Sequence, residues 1–248
     1  MNRLVFSEFF GRRYNMKITL IHGQNHKGST YYIARMTAEK IGGNIDEFFL
    51  PRDFNDGCSG CLACLHKGRE HCPRSQKVGK IFGAMLLSDV IIMSSPTYVM
   101  EMTSHLKGFL EHIYTAWIAH RPEEAMFSKT AVVISTAAGM GMTGVTKSMA
   151  KQMFYLGIPK VYRLPFRVMA SDWGGVNNKI KAKIESKTNK AARKIISRNG
   201  CAKPGIKTRF IFSMMRSFQK NNDYAPLDKE YWTNKNWLGK ERPWKHIK

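Results

Sequence analysis

"MKITLIHGQNHKGST", residues 16–30, decides how the rest of the chain is read. The first seven residues, MKITLIH, form a short apolar run with β-branched members. A polar, glycine-bearing turn from Gly23 to Gly28 follows, and Ser29 and Thr30 open a helical pattern. A strand that runs through a tight polar turn into a helix is half of a βαβ unit. The same succession recurs down the chain. Further β-rich runs are IDEFFL (45–50), DVIIMS (89–94), TAVVIST (130–136) and KVYRLPF (160–166). Between them, apolar residues fall at helical spacing: Val78, Ile81, Phe82 and Met85; Leu106, Phe109, Leu110, Ile113 and Trp117; Val145, Met149, Met153 and Leu156.

Near-continuous apolar strands alternating with amphipathic helices imply a parallel sheet covered on both faces. Five such units predict an α/β fold, a flavodoxin-like doubly wound five-stranded parallel sheet of order 2-1-3-4-5, with a dinucleotide-binding Rossmann domain as the rival. The sheet domain is expected over 16–170. From 171 to 248 the pattern changes to a basic helical and aromatic appendage, with "VNNKIKAKIESKTNKAARKII" as its first helix. Residues 1–15 show neither strand nor helix periodicity, nor the apolar stretch and cleavage site of a signal peptide. Met16 is therefore a candidate functional start. No apolar run approaches the roughly 18 residues of a membrane span, and a cytoplasmic, membrane-free protein is expected.

The 248 residues carry a formal charge of +22. Ser171 to Lys248 holds 19 Lys and Arg against 6 Asp and Glu, so +13 of that excess sits in the appendage. A basic excess points to nucleic acid, an anionic surface or an acidic protein. Nucleic acid is set aside, because the basic residues match no binding motif and lie outside the sheet domain.

Three loops follow strands and carry candidate chemistry. HGQNHKGST (22–30) offers backbone N–H groups, two hydroxyls and a helix N-terminus, which suits a phosphate; an ordinary capped strand-to-helix turn would read the same way. It lacks the Walker spacing, which disfavours NTP hydrolysis. SSPTYVMEMTSHLKGFLEH (94–112) follows the third strand, where Pro96 stiffens the turn and Tyr98 presents a ring. In a 2-1-3 sheet it stands beside the first loop, at the switch point where ligands bind. GMGMTG (139–144) matches G-x-G-x-x-G but follows the fourth strand, and no acid lies between Gly141 and Asp172 to hold a ribose. It reads instead as a loop that lets a flat ring approach the backbone.

CSGCLACLHKGREHCP (58–73) gathers four of the five cysteines. In a reducing compartment such a cluster points to metal or redox chemistry rather than disulfides. Three cysteines at successive spacings of three, with Cys72 before Pro73, suit a corner of a [4Fe–4S] cubane. Zinc, or uncoordinated redox-active thiols, remain open on spacing alone. His22, His26, His66 and His71 show no ligand spacing and read as solvated loop residues. Cys201 reads as a bystander.

MKITLIHGQNHKGST, the cysteine loop, SDVIIMSSPTYVMEMTSHLKGFLEH and TAAGMGMTG, in that order, resemble the NADPH-dependent FMN reductase-like flavoproteins, and within them the iron–sulfur flavoprotein branch, over about 16–168. The resemblance implies FMN, with phosphate contacts from Gln24, Asn25, His26, Ser29 and Thr30. It implies ring contacts from Pro96, Thr97, Tyr98 and Val99, and from Thr136, Ala137, Gly139 and Gly141. Cys58, Cys61, Cys64 and Cys72 match the branch's cluster ligands, with the longest spacer. The first loop departs from the usual Gly-Ser-Pro-Arg, reading Gly23-Gln24-Asn25-His26.

The expected activity is electron transfer between a reduced donor, ferredoxin or NAD(P)H, and an acceptor. Alternatives are a cluster-free NAD(P)H-dependent reductase of flavin, quinone or nitro compounds, and a non-enzymatic carrier. Trp117, Trp232, Trp237, Trp244 and Tyr231 are more aromatic surface than one small domain should expose. They predict a homo-oligomer, at least a dimer, with FMN near the interface. The basic tail is expected to steer an acidic donor such as a ferredoxin.

Overall fold

The computed structural model describes residues 16–245. The segment 1–15, and with it the question of Met16 as functional start, lies outside the described residues.

The five expected strands form: β1 (Lys17–His22), β2 (Asn44–Phe49), β3 (Val90–Pro96), β4 (Thr130–Ala137) and β5 (Lys160–Arg167). They make one parallel sheet in the order β2-β1-β3-β4-β5. The order reverses between β1 and β3. His22 pairs with Ser94 and Pro96 with Thr136, so β1, β3 and β4 deliver their loops to the same end of the sheet.

Helices cover both faces, as buried central strands require. On one side lie α1 (Ser29–Ile41) and, further along the chain, the helix Asn178–Ile196. The other side carries α2 (Ser75–Leu87), α3 (Ser104–His112) and α4 (Met142–Tyr155). Alternation along the strands feeds two cores. Ile21, Ile91, Met93, Ala131 and Val133 pack with Ile81, Phe109 and Met149, while Leu20, Val90, Ile92, Val132 and Ile134 pack with Ile33, Ala38 and Ile195.

The region after 171 is not uniform. Its first helix, α5 (Asn178–Ile196), packs on α1 and completes the second layer of the sheet. The next two, α6 (Ile206–Lys220) and α7 (Pro226–Asn234), build a third core from Phe212, Trp232 and Trp237 against Ile118 and Phe127. This corrects the reason given above for an oligomer. Trp232 and Trp237 are fully buried within the chain. Trp117 stacks on Tyr155, Trp244 lies against Phe127 and Phe212, and the Tyr231 hydroxyl donates to the Pro122 carbonyl. The aromatic residues have their partners in the same protomer.

Candidate functional site

The three loops after β1, β3 and β4 meet at the switch point. Gly23 is pinned against the third strand: its N–H donates to the Ser94 carbonyl, and its own carbonyl accepts from the Thr103 hydroxyl at 2.6 Å. A Cβ at Gly23 would stand 2.6 Å from that hydroxyl oxygen, so the loop closes only because the residue is glycine. Thr30 Oγ1 lies 2.6 Å from Thr136 Oγ1, which ties the first turn of α1 to the end of β4. Thr97 Oγ1 and Ser135 Oγ are 3.0 Å apart, and Thr97 N donates to the Thr136 carbonyl. The Tyr98 hydroxyl donates to Gln24 Oε1 at 2.7 Å, bridging the first and second loops above the sheet.

The loop after β3 is strained. Tyr98 and Glu101 exchange backbone hydrogen bonds across Val99 and Met100, which both take left-handed backbone, φ 47° and 65°. A β-branched valine in this region costs on the order of 1–3 kcal/mol. Val99 is 98 % exposed, and Tyr98, Met100 and Met140 also face solvent. Gly141, at φ 96°, meets this loop; a Cβ there would be 2.6 Å from Thr97 Cγ2 and 3.1 Å from Met100 Sδ. A Cβ on Gly139 would meet nothing, so internal packing does not require glycine there.

At the N-terminus of α1 the Ser29 side chain is buried, and its hydroxyl has no hydrogen-bond partner. A buried orphan hydroxyl is costly unless a group from outside satisfies it. It stands where the helix dipole and the free N–H groups of the first turn favour an anion. The residues at this position therefore fit a phosphate.

Of the implied contacts, Gln24, Thr30, Thr97, Tyr98, Thr136 and Gly141 touch one another across loops. Pro96 ends β3 and Val99 lies in the turn that follows it, and Ala137 follows Thr136 with its carbonyl bonded to Val168 N. Asn25 is drawn aside, its Oδ1 accepting from Arg52 N at 3.4 Å. His26 is exposed beside Gly28. Thr103 and Ser135 were missed by the sequence reading. Thr103 carried the signal of a hydroxyl just before a helical run; Ser135 carried none. His22 differs from the expected solvated loop residue. It is buried at the end of β1, stacked on Phe49, and its ring nitrogens lie 3.0 Å from Ser94 Oγ and 2.9 Å from Glu47 Oε1. The His22 hydrogen bond holds the Glu47 carboxyl below its ordinary range.

The cysteines occupy a lobe between β2 and α2 with little regular structure, one turn of helix at Ala63–His66 and a 3-10 turn at Arg69–His71. Gly60, Leu62 and Gly68 all have positive φ. The lobe rests on α3 at Gly108, where a Cβ would be 2.9 Å from the Asp56 carbonyl oxygen. Cys58 and Cys61 are exposed, Cys72 is half-buried and Cys64 is buried. Burial pushes the Cys64 thiol up, and the neighbouring Cys72 and Cys58 add to that. The Tyr114 hydroxyl is buried without a full hydrogen-bond partner and faces Cys64; burial raises its pKa as well. Cys58, Leu62, Lys107, Tyr114 and Trp117 line a recess of about 400 Å³. The lobe supplies four thiols at cluster spacing, with Cys72 and Cys58 close enough to act on the Cys64 thiol. They are not drawn to one point: among the described residues no three His, Cys, Asp or Glu are gathered as metal ligands.

Buried charge fastens the lobe. Arg121 donates to the Cys64 carbonyl at 2.5 Å and to the Leu65 carbonyl at 3.3 Å, and it pairs with Asp228 of α7. The other Asp228 oxygen is 2.7 Å from His120 Nδ1. Arg69 pairs with Glu123 at 2.5 Å and donates to the Arg121 carbonyl. Neither Arg121 nor Asp228 was singled out from sequence.

A family model described as NADPH-dependent FMN reductase matches residues 16–169, which carry the sheet and all three loops. The chain belongs to the NADPH-dependent FMN reductase family. Two curated relatives, both described as iron-sulfur flavoproteins of Archaeoglobus fulgidus, are similar to it. One is 29% identical over 99 residues, 39% of this chain and 48% of the relative. The other is 26% identical over 155 residues, 62% of this chain and 68% of the relative. The chain thus matches about half the length of the first and two thirds of the second. Among solved structures, an NAD(P)H:quinone oxidoreductase from Methanothermobacter marburgensis aligns with TM-score 0.58 at 17% identity, over 73% of this chain and 97% of that one. An FMN-dependent NADH-azoreductase from Bacillus anthracis aligns with TM-score 0.53 at 15% identity, over 73% and 99%. Identities this low bear on the fold, and they agree with the sheet order.

Proposed function

We propose that this family member is an FMN-dependent oxidoreductase that passes electrons from a reduced donor to an acceptor. The observation that carries the reading is the orphan Ser29 hydroxyl at the head of α1, set between loops already tied to one another. Ser29, Thr30 and Gln24 would hold the phosphate. Thr97, Tyr98, Val99, Thr136, Ala137, Gly139 and Gly141, with Pro96 stiffening the turn, would frame the ring; Asn25 and His26 are peripheral. Bound FMN would supply hydride and single-electron chemistry. The chain's own part is to bind, orient and shield. No catalytic acid or base is assigned.

The finer reading adds a [4Fe–4S] cluster held by Cys58, Cys61, Cys64 and Cys72. The four-thiol lobe and the description of the two relatives support it. Gathering the thiols would require the exposed segment 57–62, with Gly57 and Gly60, to fold inward around Cys61. A cluster-free NAD(P)H-dependent reductase is the second reading, favoured by Cys58 and Cys61 both facing solvent. NAD(P)H or a ferredoxin as donor, steered by the basic surface, belongs to the same proposal. So does a homo-oligomer, which now rests on the family resemblance and is checked by sedimentation.

Anaerobically purified protein should show flavin absorption and about four irons and four labile sulfides per chain. Cys61→Ala should remove the iron and keep the flavin. Flavin without iron would leave the second reading, and colourless protein that binds no added FMN would end both.

A further inference from the structure

α6 is apolar on the wrong side. Its inward face, Thr208, Phe212 and Gln219, is buried against the segment 118–128 and α7. The opposite face carries Ile206, Phe210, Met214 and Phe218 at successive spacings of four, exposed by 89, 66, 45 and 61 %. At 100° per residue these four side chains sweep one arc of the helix surface. A surface helix of a protein free in water normally places polar residues there. Packing within the chain does not require this face.

Its charge setting is as one-sided. From Ser186 to Asn222 there are ten Lys and Arg and no Asp or Glu. Around the arc stand Lys203, Lys207, Arg209 and Lys220, all exposed. Lys207 Nζ lies 4.8 Å from the Phe154 ring and Arg209 lies over Trp244, so neither is neutralised by a carboxylate in these contacts. Phenylalanine and isoleucine in a frame of lysine and arginine are the composition of a helix that lies in the plane of an anionic bilayer surface. A second copy of this chain would bring the same positive frame against itself at a total charge of +22 per protomer, which disfavours self-association through this face.

We infer that α6 docks the protein on an anionic lipid surface, with Phe210 and Phe218 entering the headgroup boundary and the flanking cations meeting lipid phosphates. The sequence reading set membranes aside because no segment spans one, and no helix among the described residues is long and apolar enough to do so. A helix lying in the interface needs no span. The core beneath α6 sits at the end of the sheet where β4 begins, opposite the loops that follow β1, β3 and β4, so docking leaves those loops facing water.

Flotation of the full-length protein with vesicles tests this. Vesicles of phosphatidylcholine with roughly a third phosphatidylglycerol should carry the protein, and pure phosphatidylcholine should carry at least about tenfold less. Phe210→Ser with Phe218→Ser should weaken binding to the anionic vesicles about tenfold or more. Lys203→Glu with Lys220→Glu should weaken it while leaving the apolar arc intact. No binding to anionic vesicles, or equal binding to neutral ones, overturns the inference. So does a dimer in solution that the Phe210 and Phe218 substitutions convert to monomer, which would give the face to a second copy. Binding to a reduced ferredoxin that these substitutions abolish, with vesicle binding unchanged, would give it to an acidic protein.

Discussion

The loops at the switch point and the cysteine lobe are built on opposite plans. The loops stand on buried parallel strands and are joined by short contacts between their own residues, Thr30 to Thr136, Tyr98 to Gln24, Gly141 to Thr97. The lobe has almost no ladder of its own and is fixed from outside, by Arg121 on its backbone carbonyls and by Asp228 behind Arg121. One region is shaped by the sheet, the other by α7. A cofactor needing a rigid frame suits the first plan, and a ligand loop that must close around a guest suits the second.

The sharpest way to break that contrast is Asp228→Ala. It leaves the Arg121 guanidinium buried without its counter-charge, at a cost of about 3–5 kcal/mol. The Tm should fall by roughly 10 °C, with the lobe exposed to protease and FMN affinity nearly unchanged. Equal loss of FMN would show that the two regions are one unit.

Gly141→Val attacks the other side. The new side chain must take φ 96° and push on Thr97 and Met100. FMN should bind about tenfold more weakly, from strain of order 1–3 kcal/mol, while susceptibility of the cysteine lobe to protease stays as it was. Ser29→Ala sharpens the same test through opposite signs. Removing a buried, unpartnered hydroxyl should leave the FMN-free protein as stable or more so, by up to about 1 kcal/mol, and should weaken FMN by about tenfold. Thermal unfolding with and without FMN reads both signs.

The smallest effect is on pH. The Glu47 carboxyl is held below its ordinary value of 4.5 by the His22 hydrogen bond. A depressed carboxylate contributes stability that is present above 4.5 and lost as pH falls through the folded value. Glu47→Gln should therefore lower stability slightly at neutral pH and flatten the acid limb of the profile below about pH 4.5, so that the two proteins converge in acid.

How much of this was legible follows the same divide. The strands and the loops at their ends could be read because apolar runs, polar turns and helical spacing are local, and the sheet order then places Thr136 over Thr30, 106 positions apart. The lock on the lobe could not. Arg121 and Asp228 are single charges 107 positions apart, with no period to mark them. The aromatic tail misled because a run of Trp and Tyr gives no sign of its partners: Trp232 and Trp237 are covered by Phe127 and Phe212, which arrive from elsewhere in the sequence. His22 misled because a polar residue at the end of a strand gives no sign that Phe49, Glu47 and Ser94 will close over it from β2 and β3.

The Asp228–Arg121 contact also sets an order of events while the protein is being made. Arg121 leaves the ribosome 107 residues ahead of its counter-ion, which at about 5–20 residues per second is roughly 5–20 s. Once β5 has followed at Lys160–Arg167, the sheet loops have every residue they use, whereas the cysteine lobe still lacks its fastening. Until Asp228 arrives, the four thiols stand on a lobe still free to open. After release, α7 shuts the same door, so the freedom of the lobe belongs to synthesis rather than to the finished protein.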